Sequence, residues 1–252
     1  MIGVHKQEVG GVPSLVVVDS NRDKDALPTV VYFHGITSAK EHNLPLAFLL
    51  AEKGYRVILP DSEFHGERTT NQIADVRIYL FNIVLQNIKE LNDIKSFLDH
   101  QGLILDGRIG VAGTSMGGIT TASALSHYSW IKAAAVLMGS PKITTFAKEL
   151  VAGYKKMGAL PLTDEEINQL YDKLITYDLS LQTEKLNERP LLFWHGDRDS
   201  VVPFDHSFSF YQHVTKLYQQ KDNIKFLREK NRDHKVSRFA ILETVKWFEK
   251  HL

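Results

Sequence analysis

An α/β fold with a mainly parallel central sheet is what this chain predicts. Three observations carry that prediction. Short runs of β-branched and aromatic residues alternate with longer stretches in which apolar residues recur every three or four positions, the pattern of strands joined by crossover helices. Runs such as Thr29-Val30-Val31-Tyr32-Phe33 are continuously β-branched and aromatic, as expected of strands covered on both faces. The length, 252 residues, suits one large domain, which buries roughly three quarters of the surface its unfolded chain exposes.

Taken in order, residues 4–9 and 15–18 read as two short strands, with Gly10-Gly11 as a tight hairpin turn between them. Thr29-Val30-Val31-Tyr32-Phe33 is a buried strand ending at His34-Gly35-Ile36-Thr37-Ser38, and residues 44–53 form a helix closed by Gly54. Residues 55–59 are the next strand. A polar stretch follows, whose Phe64-His65-Gly66-Glu67-Arg68 is a rim loop. Ile78, Phe81, Val84, Leu85, Ile88, Leu91, Ile94, Phe97 and Leu98 keep the spacing of a long helix. Asp106-Gly107 turns the chain into a strand that ends at Ser115, and a helix with Ile119, Ala122 and Leu125 on one face follows. Residues 133–138 are another strand. From 142 to 186 no strand is expected. Phe146, Leu150 and Tyr154 share one helical stripe, Ile167, Leu170 and Leu174 another, and Thr163-Asp164-Glu165-Glu166 has the acids of a helix start. This segment reads as a helical lid insertion on the rim of the sheet, or as ordinary connecting helices packed beside the core. Strands return at 190–194 and 224–227, with helices over 204–219 and 238–251.

Composition narrows the function. Lys plus Arg number 30 and Asp plus Glu 30, a formal net charge of zero, so nothing points to a nucleic-acid partner or an anionic membrane. With no cysteine there is no disulfide framework, thiolate metal site or cysteine nucleophile. Without a His-Glu-x-x-His run either, no metal is expected. No apolar run reaches membrane-spanning length, and the first residues lack the layout of a signal peptide, so a cytoplasmic protein is the expectation. Oligomeric state is not legible.

Gly113-Thr114-Ser115-Met116-Gly117 fits the G-x-S-x-G nucleophile elbow. A strained strand-to-helix corner lifts the serine hydroxyl clear of the backbone, and glycines two residues before and after relieve the crowding there. A serine hydroxyl is a poor nucleophile at neutral pH and needs a base within hydrogen-bond reach. Histidine, unperturbed near a pKa of about 6.5, fits that role, and a carboxylate must fix its tautomer. Ser115, Asp199 and His234 occur in the order Ser, acid, His, each just after an expected strand, so all three fall at the carboxyl edge of the sheet. Asp197, two residues from Asp199, is the rival acid and alternatively caps its turn; Asp205 belongs to the first turn of the next helix. His206 and His213 lie on a helix, His251 near the chain end and His195 at a strand end, whereas His234 follows the last strand in a loop. His34 and His65 read as loop histidines, and Ser38 and Ser140 as turn hydroxyls.

His34-Gly35-Ile36-Thr37-Ser38, Gly113-Thr114-Ser115-Met116-Gly117-Gly118, the His195-Gly196-x-x-Asp199-x-Val-Val-Pro203 run and Asp233-His234 together resemble the α/β-hydrolases. More narrowly they resemble the small bacterial carboxylesterases of the YitV/YjfP type, near the dienelactone hydrolase and prolyl oligopeptidase branches. The resemblance covers nearly the whole chain. It implies a single α/β-hydrolase domain over 1–252, a Ser-His-Asp triad, no cofactor, and hydrolysis of small-molecule esters through an acyl-enzyme. Carried over by position, Ser115 matches the nucleophile, Asp199 the acid and His234 the base. The backbone N–H groups of Ile36 and Met116 match the oxyanion donors. A peptidase or acyltransferase on the same triad, or a non-catalytic binding protein that keeps the fold, are the alternatives.

Overall fold

The computed structural model describes residues 1–73, 75–158 and 162–252. The chain runs β1 (Ile2–Val9), β2 (Val12–Asp19), β3 (Leu27–Phe33), α1 (Leu44–Glu52), β4 (Arg56–Pro60), α2 (Leu80–His100), β5 (Ile104–Thr114), α3 (Met116–His127), β6 (Ala133–Leu137), α4 (Ile143–Lys156), α5 (Asp164–Ile175), β7 (Leu191–Gly196), α6 (Phe204–Val214), β8 (Ile224–Glu229) and α7 (Arg238–His251).

The strands form one eight-stranded sheet in the order β1-β2-β4-β3-β5-β6-β7-β8. Only β2 pairs antiparallel, with β1 and with β4; every later pairing is parallel. Gly10 and Gly11 both take positive φ, which a two-residue hairpin turn needs, and Val9 pairs with Val12 across it.

The continuous apolar runs feed two cores. Val31 and Phe33 of β3 face the core shared with α2, α3 and α4, while Val30 and Tyr32 face the one shared with α1 and α7. A parallel strand needs this two-sided burial because its crossover helices cover both faces. At roughly 25 cal/mol per Å² of apolar surface buried, these layers are the main stabilising term. Tyr55, just before β4, ties that strand to α7 by donating its hydroxyl to the Phe248 carbonyl at 2.9 Å.

Three boundaries differ from the sequence expectation. Asp106 and Gly107 do not precede β5 but lie inside it, both with positive φ, at a register break opposite β3. The strand pauses there and resumes at Ile109 opposite Thr29. The helix expected over 204–219 stops at Val214 and unwinds through turns at Thr215–Leu217. The helix expected from about Ile78 begins at Leu80, after a short 3-10 turn.

Among the described residues, no strand lies between β6 and β7. α4 and α5 occupy that span, and residues 159–161 of the expected 142–186 insertion lie outside the described residues. Thr163 and Glu166 form a reciprocal capping box at the start of α5. No helix among the described residues is long and apolar enough to cross a membrane.

Candidate active site

Ser115 sits at the corner between β5 and α3 with φ 56° and ψ −113°, a region that costs a non-glycine residue about 1–3 kcal/mol. The corner is held from both sides. Ser115 N–H donates to Leu137 of β6, and Ile119 N–H donates back to the Ser115 carbonyl, both at 2.9 Å. The flanking glycines are required by close approach. A Cβ on Gly113 would lie 2.3 Å from the Gly117 carbonyl carbon, and one on Gly117 would lie 2.1 Å from the Phe33 carbonyl oxygen.

His234 lies in the loop after β8. Its Nδ1 is 2.6 Å from Asp199 Oδ2 and its Nε2 is 2.8 Å from Ser115 Oγ. The carboxylate selects the tautomer with the proton on Nδ1, so Nε2 presents a lone pair to the serine hydroxyl. The two loops that carry Asp199 and His234 are stitched together by their backbones. Asp197 N–H donates to the Glu229 carbonyl at 3.1 Å and Arg198 N–H to the Arg232 carbonyl at 2.9 Å. Asp197 completes the seam, accepting from Asn231 N–H at 2.7 Å and from the Arg228 guanidinium at 2.8 and 3.0 Å. The rival carboxylate is therefore engaged in the loop, and Asp199 is the one beside His234.

The Asp199 side chain has no exposed surface. Its Oδ1 accepts Val201 and Val202 N–H, each at 2.9 Å. Its Oδ2 accepts from His234 and from His195 Nε2, the latter at 3.1 Å. Burial pushes its pKa up, but the hydrogen bonds from His195 and His234, the charge interaction with His234 and the Val202 N–H outweigh that and hold the carboxyl well below its ordinary range. His195, near the end of β7, touches the Asp199 carboxylate, a contact that its place at a strand end does not announce. Its signal was its place four residues before Asp199.

The loop after β3 passes beside the serine: a Cβ on Gly35 would be only 3.5 Å from Ser115 Cβ. Two neutral histidines shape this loop. His34 Nδ1–H donates to the Gly35 carbonyl at 2.8 Å while Nε2 accepts Ser62 N–H at 3.0 Å. His65 Nδ1–H donates to the Glu63 carbonyl at 2.8 Å while Nε2 accepts Thr37 N–H at 3.0 Å. The rings lie 5.0 Å apart. Burial is the main cause that lowers both pKa values, to about 4 for His34. Below them, Lys40 and Asp61 form a buried ion pair, with Glu67 also 2.7 Å from Lys40 Nζ. Asp61 accepts Lys40 and Glu67 N–H as well. Nothing in the local sequence marks this pair, whose members stand 21 residues apart. Among the described residues, neither Ile36 N–H nor Met116 N–H donates to another backbone carbonyl in the loops and turns, and Met116 opens α3, where helix geometry leaves such donors free.

Two cavities meet at Ser115. One, about 670 Å³, is lined by His234, Lys235, Ile241, Thr37, His42 and Pro45 among others. The second, about 100 Å³, lies under α4 and is lined by Leu80, Met116, Ile119, Phe146, Leu150 and Tyr154 among others. Ile36, Ser115 and Val201 border both. The other expected turn hydroxyls are paired, Ser38 with His42 Nδ1 at 2.9 Å and Ser140 with His206 Nδ1 at 3.0 Å.

Residues 85–252 match the prolyl oligopeptidase family. The chain is 44% identical over 255 residues to YitV, a candidate esterase of Bacillus subtilis (strain 168), and 29% identical over 258 residues to esterase YjfP of Escherichia coli (strain K12), covering 100% of each. Among solved structures, TT1662 of Thermus thermophilus superposes with a TM-score of 0.78 at 17% identity, over 99% of this chain and 98% of that one, a likeness of fold. The chain belongs to the prolyl oligopeptidase family, within the α/β-hydrolase superfamily, in the branch that holds YitV and YjfP.

Proposed function

We propose that the protein is a serine carboxylesterase that cleaves small carboxylic esters through an acyl-enzyme. The observation that carries this reading is the unbroken hydrogen-bonded series from Ser115 Oγ through His234 to Asp199. YjfP, a full-length relative, is itself named an esterase. Ser115 Oγ attacks the ester carbonyl carbon as its proton passes to His234 Nε2. The carbonyl oxygen becomes an oxyanion, received by the Ile36 and Met116 N–H groups; removing one such donor typically costs about 2.7–4 kcal/mol of transition-state stabilisation. When the tetrahedral centre collapses, the ester C–O bond breaks and the leaving oxygen takes the proton from His234. Water then repeats the sequence, giving its proton to His234 and its oxygen to the acyl group, and Ser115 is regenerated. Asp199 stays ionised throughout and stabilises the imidazolium. Within the 142–186 insertion, α4 acts as a lid over this site, with Phe146, Leu150 and Tyr154 turned toward it.

Ser115→Ala tests the reading. It should lower kcat for p-nitrophenyl acetate by about a million-fold while leaving the circular dichroism and melting temperature unchanged. Retained turnover would refute it. The family match gives a peptidase reading its one support; cleavage of an aminoacyl anilide faster than of any ester would favour it instead.

A further inference from the structure

We infer that the site divides its substrate unequally, taking a short acyl group of about four carbons or fewer on one side of Ser115 and a bulky alcohol on the other. This rests on the esterase reading above. Direction follows from the proton. In the collapse step His234 must hand its proton to the leaving oxygen, so the alcohol half has to lie on the imidazole side of the serine. The cavity of about 670 Å³ is the one that His234 and Lys235 line. The cavity of about 100 Å³ touches Ser115 and the oxyanion-loop residue Ile36 but not His234. The acyl half is left with that smaller space.

Size follows from volume. A cavity of roughly 150 Å³ lined by aliphatic and aromatic side chains holds one benzene ring, so the space under α4 accepts about two thirds of that, an acetyl to butyryl chain. Its walls are mostly apolar, with Leu80, Ile119, Phe146 and Leu150 among them, and Arg77 and Tyr154 are the polar side chains on its border. The alcohol side has the volume of an ordinary small-molecule pocket, roughly 300–1,000 Å³, and carries Thr37, His42 and Lys235 for polar contacts.

The short side is held to its size because α4 is pinned. Thr144 N–H donates to buried Asp178 at 3.0 Å near its start. Midway along, Glu149 lies 3.2 Å from His206 Nε2, whose Nδ1 meets Ser140 Oγ. Phe146 packs edge-on against the same imidazole, ring centroids 5.9 Å apart. Phe146 and Leu150 therefore form the α4 wall of the acyl pocket, and they set chain length.

The experiment is a series of p-nitrophenyl esters from acetyl to decanoyl, with Leu150→Ala and Phe146→Ala beside the wild type. Each added methylene that does not fit is worth roughly tenfold or more in kcat/KM. Wild type should peak between acetyl and butyryl. Each variant should raise the octanoyl-to-acetyl ratio of kcat/KM by about tenfold or more. Leu150→Ala is the guard against misfolding, since Leu150 is only partly buried. A wild-type optimum at octanoyl or longer overturns the inference, as does an unmoved ratio in a folded Leu150→Ala protein that still reacts with a fluorophosphonate at Ser115. If no ester is turned over and Ser115 takes no label, the esterase reading fails, and this inference with it.

Discussion

Asp199 accepts four hydrogen bonds inside a site where its side chain has no contact with water, and Asp197, two residues away, accepts its bonds at the surface of the seam. Their roles differ for that reason. Replacing Asp199 by Asn keeps the shape but no longer dictates the His234 tautomer, so kcat should fall by about 10⁴-fold, while Asp197→Asn should leave ester turnover near wild type. Equal losses in both variants would count against Asp199 as the orienting acid. Linkage gives a second readout. The folded pKa of Asp199 lies below its unfolded value of about 3.9. The stability it contributes is fully present above that pH and drains away as pH falls through the folded pKa. His195 touches the Asp199 carboxylate and not Ser115 or the His234 ring. His195→Leu removes one bond to a charged acceptor, worth about 1.5–3 kcal/mol, and should lower kcat without changing KM. Urea titration and steady-state kinetics on the same protein separate the two effects.

At the scale of elements, the strand-to-helix corner and the histidine-bound loop decide whether the residues meet. The corner leaves no room for a side chain at Gly117, where the nearest atoms are Phe33 and His34 backbone, which cannot step aside. Gly117→Ala should therefore cost about 1–3 kcal/mol and lower the urea midpoint, with activity lost in proportion to the shift of the β3 loop. The loop should respond to acid. His34 binds protons in the unfolded chain near a pKa of about 6.5 but in the fold only near about 4. Between those values the unfolded chain holds more protons, so stability from this group is complete above about pH 6.5 and falls as pH drops to about 4, by about 3 kcal/mol in all. Protonating Nε2 of either ring also breaks its bond to the Ser62 or Thr37 backbone. Melting temperature against pH should show this fall, and His34→Gln should flatten it; a slope that survives the substitution would place its origin elsewhere. The motifs announced these elements because each is local: five residues spell the corner. The Lys40–Asp61 pair and the two-histidine brace left no such trace, since they join segments whose proximity only the folded sheet creates.

For the molecule as a whole, the alternation of apolar runs and helical spacing was enough to read a mainly parallel α/β sheet, because burial on both faces leaves its mark along the central strands β3, β4, β6 and β7. Boundaries were harder. Asp106-Gly107 has the composition of a turn, and it adopts turn-like φ values, but neighbouring β3 continues the ladder on either side and absorbs it as a kink within β5. The helix after Pro203 ends early because Lys216–Tyr218 serve a chain reversal toward β8, with Tyr218 donating to the Arg189 carbonyl at 2.8 Å. The order Ser115, Asp199, His234 was legible as spacing along the chain, whereas their separation in space depends on three loops at one rim. Within 142–186, α4 is bound into the core through Ile143, Phe146 and Ala147. Removing it should expose apolar surface and cause aggregation, so its influence on specificity is read by single substitutions. The central claim is that an alcohol, an imidazole and a carboxylate from distant segments form one reactive unit. The most direct measurement is mass-spectrometric mapping after treatment with a fluorophosphonate, in the wild type and in His234→Ala. The account predicts a single adduct on Ser115, formed quickly in the wild type and barely at all without the imidazole. An adduct on another residue, or labelling of Ser115 at an undiminished rate in His234→Ala, would contradict it.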